Sequence, residues 1–173
     1  SVNTPVVLTV TDVDGTTAQC TANVNVQDLI PPVAVCQNIT VNLSAPTVAA
    51  AAIDGSSSDN CGIASRLIDG AADKTFSCAD LGENSVTLSI ADAAGNPDSC
   101  AATVTVVDDI NPVAVCQNIT VNLSAPTIGA AAVDGGSSDN CGITSMLIDG
   151  AADKTFTCAD LGANSVTLSI ADA

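Results

Sequence analysis

The stretch PVAVCQNITVNLSAPT begins at Pro32 and again at Pro112, so the chain repeats itself with a period of 80 residues. A copy of that length and fidelity limits the fold to something that 80 residues can build and then build again. Residues 31–93 and 111–173 differ at nine positions, and only Pro31/Asn111, Arg66/Met146 and Glu83/Ala163 change in character. The opening residues fit the same frame: VVLTVTDVDGTTAQCTANVNVQD lies over VTLSIADAAGNPDSCAATVTVVDD, with Cys20 over Cys100 and Asp28 over Asp108. The chain therefore divides into the C-terminal strands of a preceding repeat (1–30), a complete repeat (31–110) and a following repeat lacking its last strand (111–173). Two arrangements fit that division. The chain is a piece of a longer array, or residues 1–30 complete the last repeat of a neighbouring subunit. Residues 1–13 and 161–173 both encode the penultimate strand, so a donated N-terminus brings a duplicate strand, which favours the longer array.

Within each repeat the apolar pattern has the period of a strand, not of a helix. Ile39, Val41 and Leu43 alternate with Asn38, Thr40 and Asn42; Val86, Leu88 and Ile90 with Thr87 and Ser89; Cys100, Ala102, Val104 and Val106 with Ala101, Thr103 and Thr105. About seven short strands are expected, near 33–36, 38–44, 47–53, 62–68, 74–78, 85–91 and 99–107. The segments DGSSSDNCG, DGAAD and DAAGNPD read as turns between them. The chain is 47% hydrophobic but has two Phe, no Tyr and no Trp, which suits a thin two-layer core. The fold expected is all-β: tandem immunoglobulin-like antiparallel β-sandwiches.

The order of these features resembles the hyalin-type (HYR-like) repeats of extracellular proteins, especially those of large bacterial surface proteins. The residues that carry the resemblance are D-x-x-P-P-V-A-V-C-Q-N-I-T-V from Asp28, D-N-C-G from Asp59, D-x-x-G-N from Asp92 and C-x-x-x-V-x-V-x-D from Cys100. It spans the whole chain in register. It implies an immunoglobulin-like sandwich with an extracellular adhesive or structural role and no catalysis. Cys61 and Cys78 are additional to the simplest two-cysteine form of such repeats.

Eight cysteines with no C-x-x-C pair, in a chain without histidine, argue for disulfides in an oxidising compartment rather than zinc or an iron–sulfur cluster. Cys36 lies in the first strand and Cys100 in the last, which are neighbours in a sandwich of this order, so Cys36–Cys100 is expected. Cys61–Cys78 and its copy Cys141–Cys158 are expected as a shorter bridge, leaving Cys20 and Cys116 to partners elsewhere.

The same strand order brings three connections to one end of each repeat. Asp28, Asp54, Asp59, Asn60, Asp92 and Asn96 are expected at the head of repeat 31–110, and Asp108, Asp109, Asp134, Asp139, Asn140 and Asp172 at the next junction. Oxygen ligands on turns are what calcium requires, and calcium is the expected cation there, stiffening the joint between repeats. Against this, Asp, Asn, Ser and Gly are ordinary turn formers, and no D-x-D-x-D-G loop is present. Asp69, Asp73 and Asp80 read as solvated turn residues.

NIT at Asn38, NLS at Asn42 and their copies at Asn118 and Asn122 are glycosylation sequons on outward positions. A formal charge of −16 disfavours nucleic acid and anionic membranes as partners. No apolar run is long enough to span a bilayer, and any export signal lies outside these residues. Without histidine, or aromatic platforms for a sugar, an enzyme is not expected. The expected role is a non-enzymatic extracellular or cell-surface stalk, fibre or filament, whose partners are neighbouring repeats or like chains. With strands rising about 3.3 Å per residue, each repeat would extend it by roughly 35–45 Å. The alternative is an adhesin module that binds a protein or carbohydrate on a surface.

Overall fold

The computed structural model describes residues 3–172. In chain order its strands are β1 (Asn3–Thr11), β2 (Thr17–Asn25), β3 (Ile39–Asn42), β4 (Thr47–Ala49), β5 (Ile63–Ile68), β6 (Asp73–Thr75), β7 (Gly82–Asp92), β8 (Pro97–Val107), β9 (Thr127–Gly129), β10 (Ser145–Ile148), β11 (Asp153–Thr155) and β12 (Leu168–Ala171). The only helical elements among the described residues are short 3₁₀ turns at Ala50–Ile53, Cys78–Asp80, Ala130–Val133 and Cys158–Asp160. The protein is all-β. Its contacts define two units: Ser1–Asn38 with Ala49–Lys74 and Ser85–Ala102, and Ile39–Val48 with Thr75–Asn84 and Thr103–Ala173. Strands β7 and β8 run through both.

In the first unit β1 and β2 form an antiparallel hairpin, registered from Thr11↔Thr17 to Asn3↔Asn25. Asp12 closes its turn by accepting from the backbone N–H of Asp14 (3.0 Å) and Thr16 (2.8 Å). β5 runs antiparallel to β7, with Arg66 opposite Ile90 and Ile68 opposite Leu88. The inward positions of β7 and β8 in this unit, Val86, Leu88, Ile90 and Ala102, are buried together with Ile53 and Ile68. This is the period-two alternation of the sequence made physical: every second residue leaves water.

Residues 47–53, expected as one strand, are a strand only to Ala49 and then coil into a 3₁₀ turn. The turn places Ala50 and Ile53 in the core, and the Ala50 N–H finds the Ala72 carbonyl at 2.9 Å. Residues 33–36 make isolated bridges, Val33↔Ser58 and Cys36↔Asp54, in place of a continuous strand. That approach is close. A Cβ on Gly55 would lie 3.0 Å from the Cys36 carbonyl oxygen, and without one the Gly55 N–H reaches the Val35 oxygen at 2.7 Å.

In the second unit β3 lies parallel to β8, with Ile39 opposite Val104 and Val41 opposite Val106. The expected all-antiparallel pattern is thus broken at this pair, in a four-stranded sheet ordered β3-β8-β7-β5. A parallel pair requires a long crossover, and the whole of residues 43–96 provides it. β9 pairs with β11 and β10 with β12, both antiparallel. Ala130, Val133, Ile148 and Leu168 form a small core with Ile128, Met146, Val166 and Ile170 around it.

Capping boxes shape the turns that follow β6 and β11. The N–H and hydroxyl of Ser77 both lie 2.8 Å from Asp80 Oδ2, and Thr157 and Asp160 repeat the arrangement. Asp80 is therefore a cap and not merely a solvated turn residue. Asp69 likewise accepts from Lys74 Nζ (2.5 Å) and the Thr87 N–H (2.8 Å).

Candidate functional site

Three turns of the first unit converge. Asp28 follows β2, and its Oδ1 accepts from the Ile30 N–H at 3.1 Å. Asp59 stands in the SSSDNCG turn, with Oδ2 held by the Cys61 N–H at 2.8 Å. Asp92 ends β7 and is buried; its Oδ1 accepts from the Asn96 N–H (2.8 Å) and its Oδ2 from Asn96 Nδ2 (2.7 Å). One carboxylate oxygen from each of the three lies within 4.8 Å of the others. Oxygens around one calcium at 2.3–2.6 Å can be at most about 4.6–5.2 Å apart, so the spacing suits a shared cation. Asp59 Oδ1 is buried and has no hydrogen-bond partner. A buried carboxylate oxygen without a donor is costly, and a cation would satisfy it.

Two asparagines tie the cluster together. Asn60 Nδ2 donates to Asp28 Oδ2 at 3.3 Å, and Asn96 Nδ2 reaches the Asp28 carbonyl at 3.2 Å. The Cys61 thiol donates toward Asp28 and, with the Ile30 N–H, holds its carboxyl below the usual carboxylate range; the same contact pushes the thiol up. Burial alone would raise Asp92, but the side-chain and backbone donors of Asn96 outweigh it and keep that carboxyl low as well. Both groups are therefore charged at neutral pH, a repulsive pair that a divalent ion would relieve.

Not every expected ligand joins them. Asp54 turns away to Arg66 Nε (2.6 Å) and the Ser57 N–H (2.8 Å). Burial opposes its ionisation, but the Ser57 and Arg66 contacts prevail and lower its pKa to about 2. In the second unit Asn140 Nδ2 donates to Asp108 at 3.1 and 3.3 Å, while Asp139 Oδ1 is buried without a partner, as in Asp59. Asp134 binds the N–H groups of Ser137 (2.9 Å) and Gly136 (3.3 Å). Asp109 is committed to the N–H (2.9 Å) and hydroxyl (2.5 Å) of Ser44. The Asp172 carbonyl accepts from Thr144. Among the described residues, Asp28, Asp59 and Asp92 form the one group of three carboxylates within metal-binding reach. The sequon asparagines Asn38, Asn42, Asn118 and Asn122 all stand exposed.

The disulfides divide into one expected bond and one unexpected bond. Cys36 pairs with Cys100, at a Cα separation of 5.8 Å. Cys78 pairs with Cys141, not with Cys61, and so neither Cys61–Cys78 nor Cys141–Cys158 forms. The cause is local. The Ser77–Asp80 cap turns Cys78 to within 5.3 Å, Cα to Cα, of Cys141, which follows Asn140 in the second copy of the SSDNCG turn. The repeat itself held the clue: Cys141 is Cys61 moved on by 80 residues, so a contact drawn inside one copy can be made to the next. Cys20, Cys61, Cys116 and Cys158 are unpaired and exposed.

No helix among the described residues is long and apolar enough to cross a membrane. No curated protein and no solved structure matches the chain. Residues 27–106, which run from Gln27 through the carboxylate cluster and the Cys36–Cys100 bond, fit the model of the HYR domain, a family of extracellular, non-enzymatic, adhesion-type modules.

Proposed function

We propose that the protein is a non-enzymatic extracellular structural protein, built of tandem immunoglobulin-like sandwiches of 80 residues and serving as a stalk, fibre or filament. Its parts are the end of one repeat (1–30), a whole repeat (31–110) and a following one (111–173). The observation that carries this reading is the Cys78–Cys141 bond, which joins positions belonging to successive copies of the repeat. A module that acts alone has no use for a covalent tie to its neighbour, whereas a load-bearing array does.

Calcium at Asp28, Asp59 and Asp92 would rigidify the turns at the head of repeat 31–110. Two of these turns belong to the repeat, and the third, carrying Asp28, is the link that enters it. The ion would neutralise the cluster and satisfy the buried Asp59 oxygen.

Single-molecule pulling tests the structural role. The two overlapping disulfides shorten the path between the ends, so reduction should lengthen the fully extended chain by roughly 280 Å. Equal contour lengths with and without reductant would contradict a load-bearing cross-link. For the metal, thermal unfolding with calcium and then with chelator should show a higher melting temperature with calcium. Asp92→Asn should remove that difference; a calcium response that survives the substitution would move the site elsewhere.

A further inference from the structure

The chain enters repeat 31–110 shortly before β3 and leaves it just after β8, and these two strands run parallel in the four-stranded sheet. That direction decides how the repeat meets a pull along the chain. Tension draws β3 back by its first residue and β8 forward by its last, so the two slide against one another along their common axis. A sliding pair loads every bond of its ladder together. An antiparallel pair pulled from one end, such as the end of β5 and β7 where Ile63 faces Asp92, opens one bond at a time.

Three further features reinforce the sliding pair. Its apolar side is dry: Val41, Val104 and Val106 are all buried, so sliding drags them into water. The Leu43 N–H extends the ladder to the Val107 carbonyl at 3.0 Å. Beyond it, Ser44 gives both its N–H (2.9 Å) and its hydroxyl (2.5 Å) to the Asp109 carboxylate. Hydrogen bonds to a charged acceptor are stronger than those between neutral groups. Asp109 thus latches the segment after β8 to the turn after β3.

The Cys36–Cys100 bond precedes this ladder on both strands, with Cys36 three residues before Ile39 and Cys100 four before Val104. While it is closed, tension arriving at Cys36 crosses to Cys100 and runs out along β8. Residues 37–99 then carry none of it.

We infer that the β3–β8 pair is a two-stage force clamp. Cys36–Cys100 carries tension while closed, and after its reduction the β3–β8 ladder and the Ser44–Asp109 latch carry it in shear. A dithiol reductant supplies the two electrons and two protons that turn the bond into two protein thiols, and leaves as its own disulfide. The inference rests on the load-bearing reading proposed above, and not on calcium.

The test is force spectroscopy on the full 173-residue chain, with handles joined by click chemistry to positions 31 and 111, both exposed. In the oxidised chain no step should release residues 37–99. With dithiothreitol the fully extended span should gain roughly 220 Å, from a bond that closes a separation of 64 residues. It should yield only at a force several times that needed when handles at 62 and 93 peel β5 from β7. Asp109→Ala should lower the 31–111 yield force by about a third, through the loss of two charge-assisted bonds, and leave the 62–93 force unchanged. Asp109→Asn, which keeps an acceptor, should recover part of the loss. Equal yield forces in the two directions overturn the clamp, as does a 31–111 force indifferent to Asp109→Ala. A fall of the same size in both directions also overturns it, because general destabilisation produces that result. Release of 37–99 from the oxidised chain refutes the first stage. The stalk reading is judged by contour length between the chain ends, and the clamp by force and its direction, so either can fail alone.

Discussion

Residues 31–110 and 111–172 are almost the same sequence in two different surroundings. In the first, β7 is an eleven-residue strand, and Val41 and Phe76 are buried. In the second, the residues equivalent to β7 form only the four-residue β12, and Val121 and Phe156 are half-buried. Ile119 and Leu123 stand 39% and 40% exposed. In the first copy β7 is hydrogen-bonded between β8 and β5, while β12 is bonded to β10 alone among the described strands. A strand of Val, Thr and Ser alternation holds its shape when a neighbour completes the ladder and frays when none does, which is how strand propensity depends on context.

The largest effect expected from this contrast concerns the strand's own disulfide. Replacing Cys36 and Cys100 together by Ala should cost about 4 kcal/mol, as expected for a loop of that length, whereas Cys116→Ala, at an exposed and unpaired thiol, should cost almost nothing. Urea unfolding without reductant measures both, and similar losses would mean that the two regions are not as different as they look. Next comes the core beneath the sheet. Leu88→Ala, at a position fully out of water, should lose about 3 kcal/mol, and Leu168→Ala, 7% exposed in the thinner core, visibly less. If the order reversed in the same unfolding assay, the core beneath β7 and β8 would not be the better packed one.

A smaller difference follows from Arg66, which is Met146 in the second copy. Asp54, lowered to about 2, favours the folded state fully above the ordinary carboxylate range, and that contribution fades as pH falls through about 2. Arg66 is 36% exposed, so water screens the pair and its share is at most about 1 kcal/mol. Acid titration of wild type against Arg66→Met should show the variant losing less stability between pH 4 and pH 2. Parallel curves would remove the ion pair from the account.

The smallest effect is local. Ser56 has φ 87°, where its counterpart Gly136 has φ 104°, and glycine carries no penalty there. Ser56→Gly should therefore stabilise by a few tenths to about 1 kcal/mol. A lower melting temperature in the variant would show that the serine contributes something that its backbone angle hides.

The alternation of Val86, Leu88, Ile90, Ala102, Val104 and Val106 foretold which residues enter the core, because a half-buried strand can present only every second side chain. Strand ends were equally informative. Knowing that β2, β5 and β7 begin or end at one place is enough to bring Asp28, Asp59 and Asp92 within reach. What the alternation could not reveal was which copy supplies a partner. Cys61 and Cys141 are chemically the same position, and only the fold of the capped turn at Cys78 selects between them. The 3₁₀ turn at Ala50–Ile53 was hidden for another reason: a run of alanines has no period to read. Arg66 stood in plain view, yet its pull on Asp54 requires β5 to lie beside that turn.

The Cys78–Cys141 bond has one consequence beyond strength. Asp109, Ile110 and Asn111 form an exposed connection between the two sequence copies, the sort of place a protease cuts. With that bond closed across the connection, a single cut there opens the backbone without letting the pieces separate. Such a chain can be nicked in a digestive environment and remain one molecule until something reduces it.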